Sequence, residues 1–177
     1  MNIVVIGVGN SIATDDGAGI RVAQRLRETI SDRRLTIVES ERGGLELLNF
    51  LEGSSKAYII DAAWTKSAPP GTITLIRTRS PYAVEPLPSI HTIGLRTVLS
   101  FGQSIGMSLP DEVIVFTIEA KEIERFSEEC TPEIEAATRR VSTLLASELQ
   151  QMFDANASQE IGTNRDFIVN TLSVEHI

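Results

Sequence analysis

An apolar run that leads through a glycine-rich turn into a helical pattern sets the architecture of this chain. The run Ile3-Val4-Val5-Ile6 is continuously apolar and β-branched, which is typical of a strand covered on both faces. Beyond Asp16, apolar side chains recur at helical spacing, at Ile20, Ala23, Leu26 and Ile30. This pattern predicts a buried strand, a tight turn and a helix, which together form the first unit of an α/β fold.

The remaining elements follow in the order expected for such a fold. Strands are predicted at 2–6, 35–38, 57–60, 72–76 and 113–118, and helical patterns at 45–51, 93–105 and 134–152. The connection AAWTKSAPPG is too short for a crossover helix, so the strand at 72–76 is expected to run antiparallel to a neighbour. The order β-α-β-α-β-β-α-β-α predicts a three-layer α/β/α sandwich around a mostly parallel sheet.

Length and pattern divide the 177 residues into one domain and a short tail. Residues 1–153 are predicted to form a single α/β domain, which is an ordinary size for one hydrophobic core. The segment 154–177 loses the helical pattern and is rich in Asn, Ser and Thr, so we expect a loosely packed or partly disordered extension.

Charge and cysteine content exclude several classes of protein. Asp and Glu number 24 against 16 Lys and Arg, a net charge of −8 that disfavours nucleic-acid binding. No run approaches the roughly 18 apolar residues of a transmembrane helix, so no membrane insertion is expected. The single cysteine, Cys130, cannot form an intrachain disulfide, which suits a reducing cytoplasm.

The turn GVGNSIATDDGAG resembles a phosphate-binding loop only in part. Gly7 and Gly9 match the first two glycines of a dinucleotide-binding turn, but Ile12 stands at the third position. Asp15 and Asp16 lie where a phosphate needs positive potential. A nucleotide-binding enzyme is therefore the less favoured alternative. Capping of the following helix and binding of a cation both remain open for the two acids.

Asp16, Asp61 and His91 form the set of side chains best suited to chemistry. Asp61 directly follows a predicted buried strand, and His91 starts a helix behind a proline-rich loop. Ligands of open α/β sheets collect beyond the carboxyl ends of the strands, where these residues are expected. A turn-forming Asp61 and a structural His91 are the alternatives. Two carboxylates and one imidazole suit nickel, zinc or manganese, and three protein ligands leave positions open for a substrate.

The same residues carry a resemblance to the hydrogenase maturation proteases. GVGNSIATDDGAGIRV, Asp61 and SIHTIGL around His91 are similar to the motifs of this family, over residues 1 to about 150. The resemblance implies an α/β/α sandwich with about five strands, and a nickel-dependent endopeptidase that trims the C-terminus of the nickel–iron hydrogenase large-subunit precursor.

Carried over to this sequence, the resemblance implies Asp16, Asp61 and His91 as metal ligands and either aspartate as a catalytic group. It also implies that Ni²⁺ arrives already bound to the precursor and is not a resident cofactor. We expect a cytoplasmic protein that is a monomer when free. A non-catalytic nickel-binding or scaffold protein of the same fold is the alternative.

Overall fold

The computed structural model describes residues 1–41, 43–78 and 94–171, with side chains described as far as residue 155. The predicted metal ligand His91 and most of the proline-rich segment before it lie outside the described residues. Two compact units are present, Met1–Ser142 and Thr143–Ile177, and the first contains the whole sheet.

Strands and helices alternate in the predicted order. The strands are β1 (Ile3–Val8), β2 (Leu35–Ser40), β3 (Lys56–Ala63), β4 (Ile73–Thr78) and β5 (Glu112–Glu119). The helices are α1 (Ala18–Thr29), α2 (Leu47–Leu51), α3 (Leu95–Ser104) and α4 (Pro132–Thr171). Short 3-10 turns at Thr14–Gly17 and Gly44–Glu46 precede α1 and α2.

The five strands form one sheet in the order β2-β1-β3-β5-β4. All neighbours are parallel except β4, which runs antiparallel to β5 at the edge. The nine residues between β3 and β4 are too few for a crossover helix. The predicted antiparallel pairing is confirmed. The fold class predicted from the sequence is confirmed as well.

Helices cover both faces of the sheet, which explains the unbroken apolar runs in its central strands. On one face, side chains from β1, β3 and β5 pack with α2 and α3 around Leu51 and Leu95. The intervening side chains of β1, Ile3 and Val5, point to the other face and are equally buried. Helix α1 contacts β1 and β3 and buries Leu26.

Two glycines let the first turn of α1 lie directly against the sheet. A Cβ on Gly19 would be 2.2 Å from the Ile60 carbonyl oxygen and 2.3 Å from that of Val8. A Cβ on Gly7 would in turn be 2.2 Å from the Gly19 oxygen. The glycines therefore serve close backbone packing between strand and helix.

Helix α4 begins at Pro132, and proline is favoured at the first position of a helix. Within the first compact unit it buries Ile134, Ala137 and Val141. The helix extends to Thr171, but side chains beyond 155 are not described, so loose packing of 154–177 stays a prediction. Among the described residues, no helix has both the length and the apolar character that crossing a bilayer requires.

Candidate active site

The two predicted site carboxylates lie at the carboxyl edge of the parallel sheet. Asp16 belongs to the 3-10 turn between β1 and α1, and this turn contacts β3. Asp61 lies near the end of β3, where it pairs in register with Thr117 of β5. The crevice beyond the carboxyl ends of parallel strands is where open α/β folds bind ligands. The structure thus brings both acids to the expected edge.

Asp61 lies inside β3 and not after it, because the strand runs to Ala63, beyond the predicted end at residue 60. The pairing of β1 with β3 ends at Ile60, whereas β5 continues to pair with β3 as far as Ala63. Asp61 is therefore the first residue of β3 that β1 no longer flanks. Its side chain is 2% exposed, and its Oδ1 accepts a hydrogen bond of 2.8 Å from the Ala62 amide.

Asp15 is completely buried and holds the segment between β5 and α4, which we call the 121–131 loop. Its carboxylate accepts hydrogen bonds from the amides of Lys121 at 3.0 Å, Glu122 at 2.8 Å and Thr131 at 2.6 Å. The Thr131 hydroxyl donates a further bond of 3.0 Å to Oδ2. Four donors around one buried carboxylate satisfy it without a cation.

These contacts correct one local expectation. Helix α1 has Gly17 at its N-cap and no side-chain capping hydrogen bond, so neither acid caps it as the structural alternative proposed. The Thr131 hydroxyl, directly before α4, donates to Asp15. Asp15 is therefore held by long-range contacts that a local pattern does not reveal.

Asp16 has a different environment from its neighbour. Its side chain is 6% exposed, and its Oδ2 accepts a bond of 3.1 Å from the Asn10 amide across the turn. This contact orients the carboxylate at the carboxyl end of β1. Of the two adjacent acids, Asp15 holds the 121–131 loop, and Asp16 lies at the carboxyl edge of the sheet.

Thr14, just before the two acids, has a strained backbone. Its φ of +50° is unusual for a β-branched residue, and such strain persists only where surrounding contacts enforce it. Its amide donates to the Ser127 carbonyl at 3.0 Å, and its hydroxyl donates to the Arg125 carbonyl. Its own carbonyl accepts from the Cys130 thiol at 3.5 Å. The 121–131 loop therefore fixes the turn that carries Asp16.

The amides of the glycine-rich turn are already engaged, which argues against a phosphate-binding role. A phosphate loop needs free N–H groups that converge on the ligand. Here the amides of Thr14, Asp15 and Asp16 donate to the carbonyls of Ser127, Glu122 and Ala13. These engaged amides and the two adjacent carboxylates disfavour the nucleotide-binding alternative.

Cys130 lies beside this turn, in surroundings that disfavour its thiolate form. Burial, together with the negative charge of Asp15, raises the pKa of the Cys130 thiol to about 11. The thiol is therefore protonated near neutral pH, whereas attack requires the thiolate.

Glu119 is a buried acid that the sequence pattern did not single out. Its Oε1 accepts bonds from the amides of Thr65 at 2.8 Å and Lys66 at 2.7 Å, and its Oε2 accepts from the Thr65 hydroxyl at 2.7 Å. These bonds fix the segment that follows β3 and Asp61. The available signal was an acid at the end of an apolar strand, the same signal that identified Asp61.

The described residues alone do not complete a metal site. Within 1–41, 43–78 and 94–155, where side chains are described, no group of three His, Cys, Asp or Glu side chains is arranged to hold a metal ion. Asp16 and Asp61 are oxygen donors of the kind that hard and borderline cations accept, and the third predicted ligand, His91, is not among the described residues. The three-ligand set therefore stays a prediction.

Comparison with known proteins identifies one family. The family model for hydrogenase maturation proteases matches residues 20–148 of the chain, a span that begins just after the turn bearing Asp15 and Asp16. The hydrogenase 2 maturation protease of Escherichia coli is 33% identical over 102 residues, 56% of this chain and 62% of that protein. The hydrogenase expression/formation protein HoxM of Cupriavidus necator is 26% identical over 127 residues, 70% of this chain and 62% of that protein.

A solved structure agrees with the sequence matches. The hydrogenase maturating endopeptidase HybD from E. coli superposes with a TM-score of 0.73 at 27% identity, over 86% of this chain and 94% of that one. A maturation protease from Thermococcus kodakarensis shares the fold, with a TM-score of 0.63 at 23% identity, over 84% of this chain and 99% of that one.

Proposed function

This chain belongs to the hydrogenase maturation protease family, and on that premise we propose that it is an endopeptidase acting on a nickel–iron hydrogenase large-subunit precursor. It would remove the C-terminal peptide of that precursor after nickel has been inserted. The observation that supports this most is the burial of Asp16 and Asp61 at the carboxyl edge of the sheet, on two elements that contact each other.

The donor set fits recognition of a cation carried by the substrate. Asp16 and Asp61 supply carboxylate oxygens, and we propose His91 as the third ligand, completing the set implied by the family resemblance. Three protein ligands leave coordination positions for groups of the precursor. Under this proposal Ni²⁺ is part of the substrate, so the protein would distinguish a metal-loaded precursor from an empty one.

Two chemical routes to hydrolysis are compatible with these residues. A divalent ion can polarise a peptide carbonyl as a Lewis acid. Alternatively, the carboxylate of Asp16 or Asp61 can accept a proton from the attacking water. Cys130 takes part in neither route, because its thiol stays protonated.

We also propose that the protein acts in the cytoplasm and is a monomer when free. The single cysteine is consistent with a reducing compartment.

A processing reaction tests the proposed function. Purified protein is incubated with nickel-loaded precursor and, in parallel, with nickel-free precursor, and the intact masses are measured. The expected result is loss of a C-terminal peptide from the nickel-loaded precursor alone. Binding of that precursor without loss of mass would instead indicate a scaffold protein and would contradict the proposal. Equal cleavage of the nickel-loaded and nickel-free precursors would also contradict it.

A further inference from the structure

The 121–131 loop carries an exposed aromatic side chain beside the candidate active site. Phe126 is 79% exposed, the highest value among the large hydrophobic side chains that the structure describes. Ile12, on the turn that leads to Asp16, is 50% exposed. The Ser127 amide donates a bond of 3.0 Å to the Ile12 carbonyl, so the two apolar residues lie on adjacent backbone segments. We infer that this surface docks an extended segment of the precursor that bears apolar and basic side chains.

The loop presents Phe126 on a fixed backbone. Residues on both sides of Phe126 bond to the active-site turn, through the Arg125 carbonyl and through both backbone groups of Ser127. Further along, the Asp15 carboxylate holds Lys121, Glu122 and Thr131. An aromatic side chain on a rigid backbone loses little conformational freedom on binding, which is typical of an interface hot spot.

The charges around Phe126 select the partner. Three exposed carboxylates, Glu124, Glu128 and Glu129, lie within three residues of it. Two bases lie in the same stretch: Lys121, which is paired with Glu133 at 2.6 Å, and the exposed Arg125. The exposed carboxylates near Phe126 therefore outnumber the bases. An apolar centre within an acidic rim is complementary to a peptide that combines an apolar side chain with Lys or Arg.

The position of this surface identifies the occupant as the precursor. The turn that bonds to the loop is the one that carries Asp16, so a chain bound at Phe126 lies beside the proposed cleavage site. This inference rests on the proposed function. It adds a recognition surface that engages the protein part of the substrate independently of the nickel.

Steady-state cleavage of nickel-loaded precursor by Phe126→Ala tests the inference. The variant should raise KM roughly tenfold and keep kcat within about twofold, because docking contacts stabilise ground and transition states alike. Phe101→Ala is the matched control: Phe101 is also exposed, at 46%, but lies on α3. It should leave both constants unchanged.

Charge reversal tests the acidic rim separately. The double variant Glu128→Lys, Glu129→Lys should have a higher KM than the wild type, and its KM should depend less on salt concentration. Glu28→Lys on α1 should change neither the KM nor its salt dependence. Equal KM values for wild type, Phe126→Ala and Phe101→Ala would overturn the docking surface while leaving the protease function intact. Absence of cleavage by the wild type would instead overturn the proposed function.

A second copy of this chain is the other occupant to be tested. Sedimentation of wild type and Phe126→Ala at equal concentration separates the cases. A monomer in both is expected. A wild-type dimer that Phe126→Ala dissociates, with KM unchanged, would identify a self-association surface and overturn the inference.

Discussion

Asp15 and Asp16 are neighbours in the chain, but they have different partners. Asp15 accepts four hydrogen bonds from the 121–131 loop and has no exposed surface. Asp16 bonds across its own turn to Asn10, at the carboxyl edge of the sheet. The sequence predicted that one acid of the pair would serve chemistry. It could not show what holds the other, because the partners are more than 100 residues away.

Replacing Asp15 should affect stability more than any other conservative change in the turn. Asp15→Asn places an amide donor among N–H and O–H donors and removes a buried charge that they stabilise. We expect a loss of about 2–4 kcal/mol in the free energy of unfolding, measured by urea titration. Asp111→Asn, at an exposed aspartate, is the control and should change it by less than about 0.5 kcal/mol. Equal stabilities for the two variants would refute the structural role of Asp15.

Cys130 should react slowly with alkylating reagents in the folded protein. Its pKa of about 11 leaves little thiolate at pH 8, roughly a hundredfold less than for an ordinary thiol. The rate should rise with pH through the range 8 to 10, because deprotonation supplies the nucleophile. Alkylation by iodoacetamide, followed by mass spectrometry in native buffer and in urea, measures this. Equally fast reaction in both conditions would contradict the burial of the thiol.

At the scale of elements, the contact between α1 and the sheet depends on the close approach of their backbones.

The first strand and α1 were predictable from apolar periodicity, and the antiparallel β4 was predictable from the length of its connection. The end of β3 was not, because continuation of β3 beyond Ile60 depends on pairing with β5, which sequence patterns do not encode. Asp61 was therefore identified correctly as a residue near the sheet edge but placed outside its strand.

Gly19→Ala should separate α1 from the sheet. The added Cβ would lie 2.2 Å from the Ile60 oxygen and 2.3 Å from the Val8 oxygen, and neither backbone can move without breaking strand pairing. The free energy of unfolding, measured by thermal or urea denaturation, should fall by about 3 kcal/mol or more. Gly53→Ala is the control, since nothing lies within 4 Å of its Cβ position. An alanine at the Gly53 φ of +76° should lower the free energy of unfolding by roughly 1 kcal/mol, through backbone strain alone. A smaller effect at Gly19 than at Gly53 would contradict the close packing.

At the scale of the whole molecule, the chemistry is expected at one end of the sheet and the tail is expected to contribute little. The predicted domain of residues 1–153 contains all strands that the structure describes and every residue assigned to the site. The family and the fold could be anticipated from the motifs, whereas the assignment of Asp16, Asp61 and His91 to the site stays a prediction. The division of roles between the two acids, and the presentation of Phe126 by the 121–131 loop, could not, because both arise from contacts between distant segments.

Removal of residues 154–177 should leave the domain stable. The segment lacks the apolar spacing that packs a helix against a core. A chain ending at Phe153 is expected to unfold within about 1 kcal/mol of the full-length protein and to process precursor at a similar rate. Loss of either property on truncation would show that the tail belongs to the functional domain.

The assignment of the active site is tested most directly by the rate at which nickel-loaded precursor is cleaved. The rate is followed by intact mass for the wild type and for Asp16→Asn, Asp61→Asn and His91→Ala. Circular dichroism of each variant is the control for folding. Each substitution should abolish processing while the fold is retained. Processing at the wild-type rate by all three variants would contradict the assignment of this site.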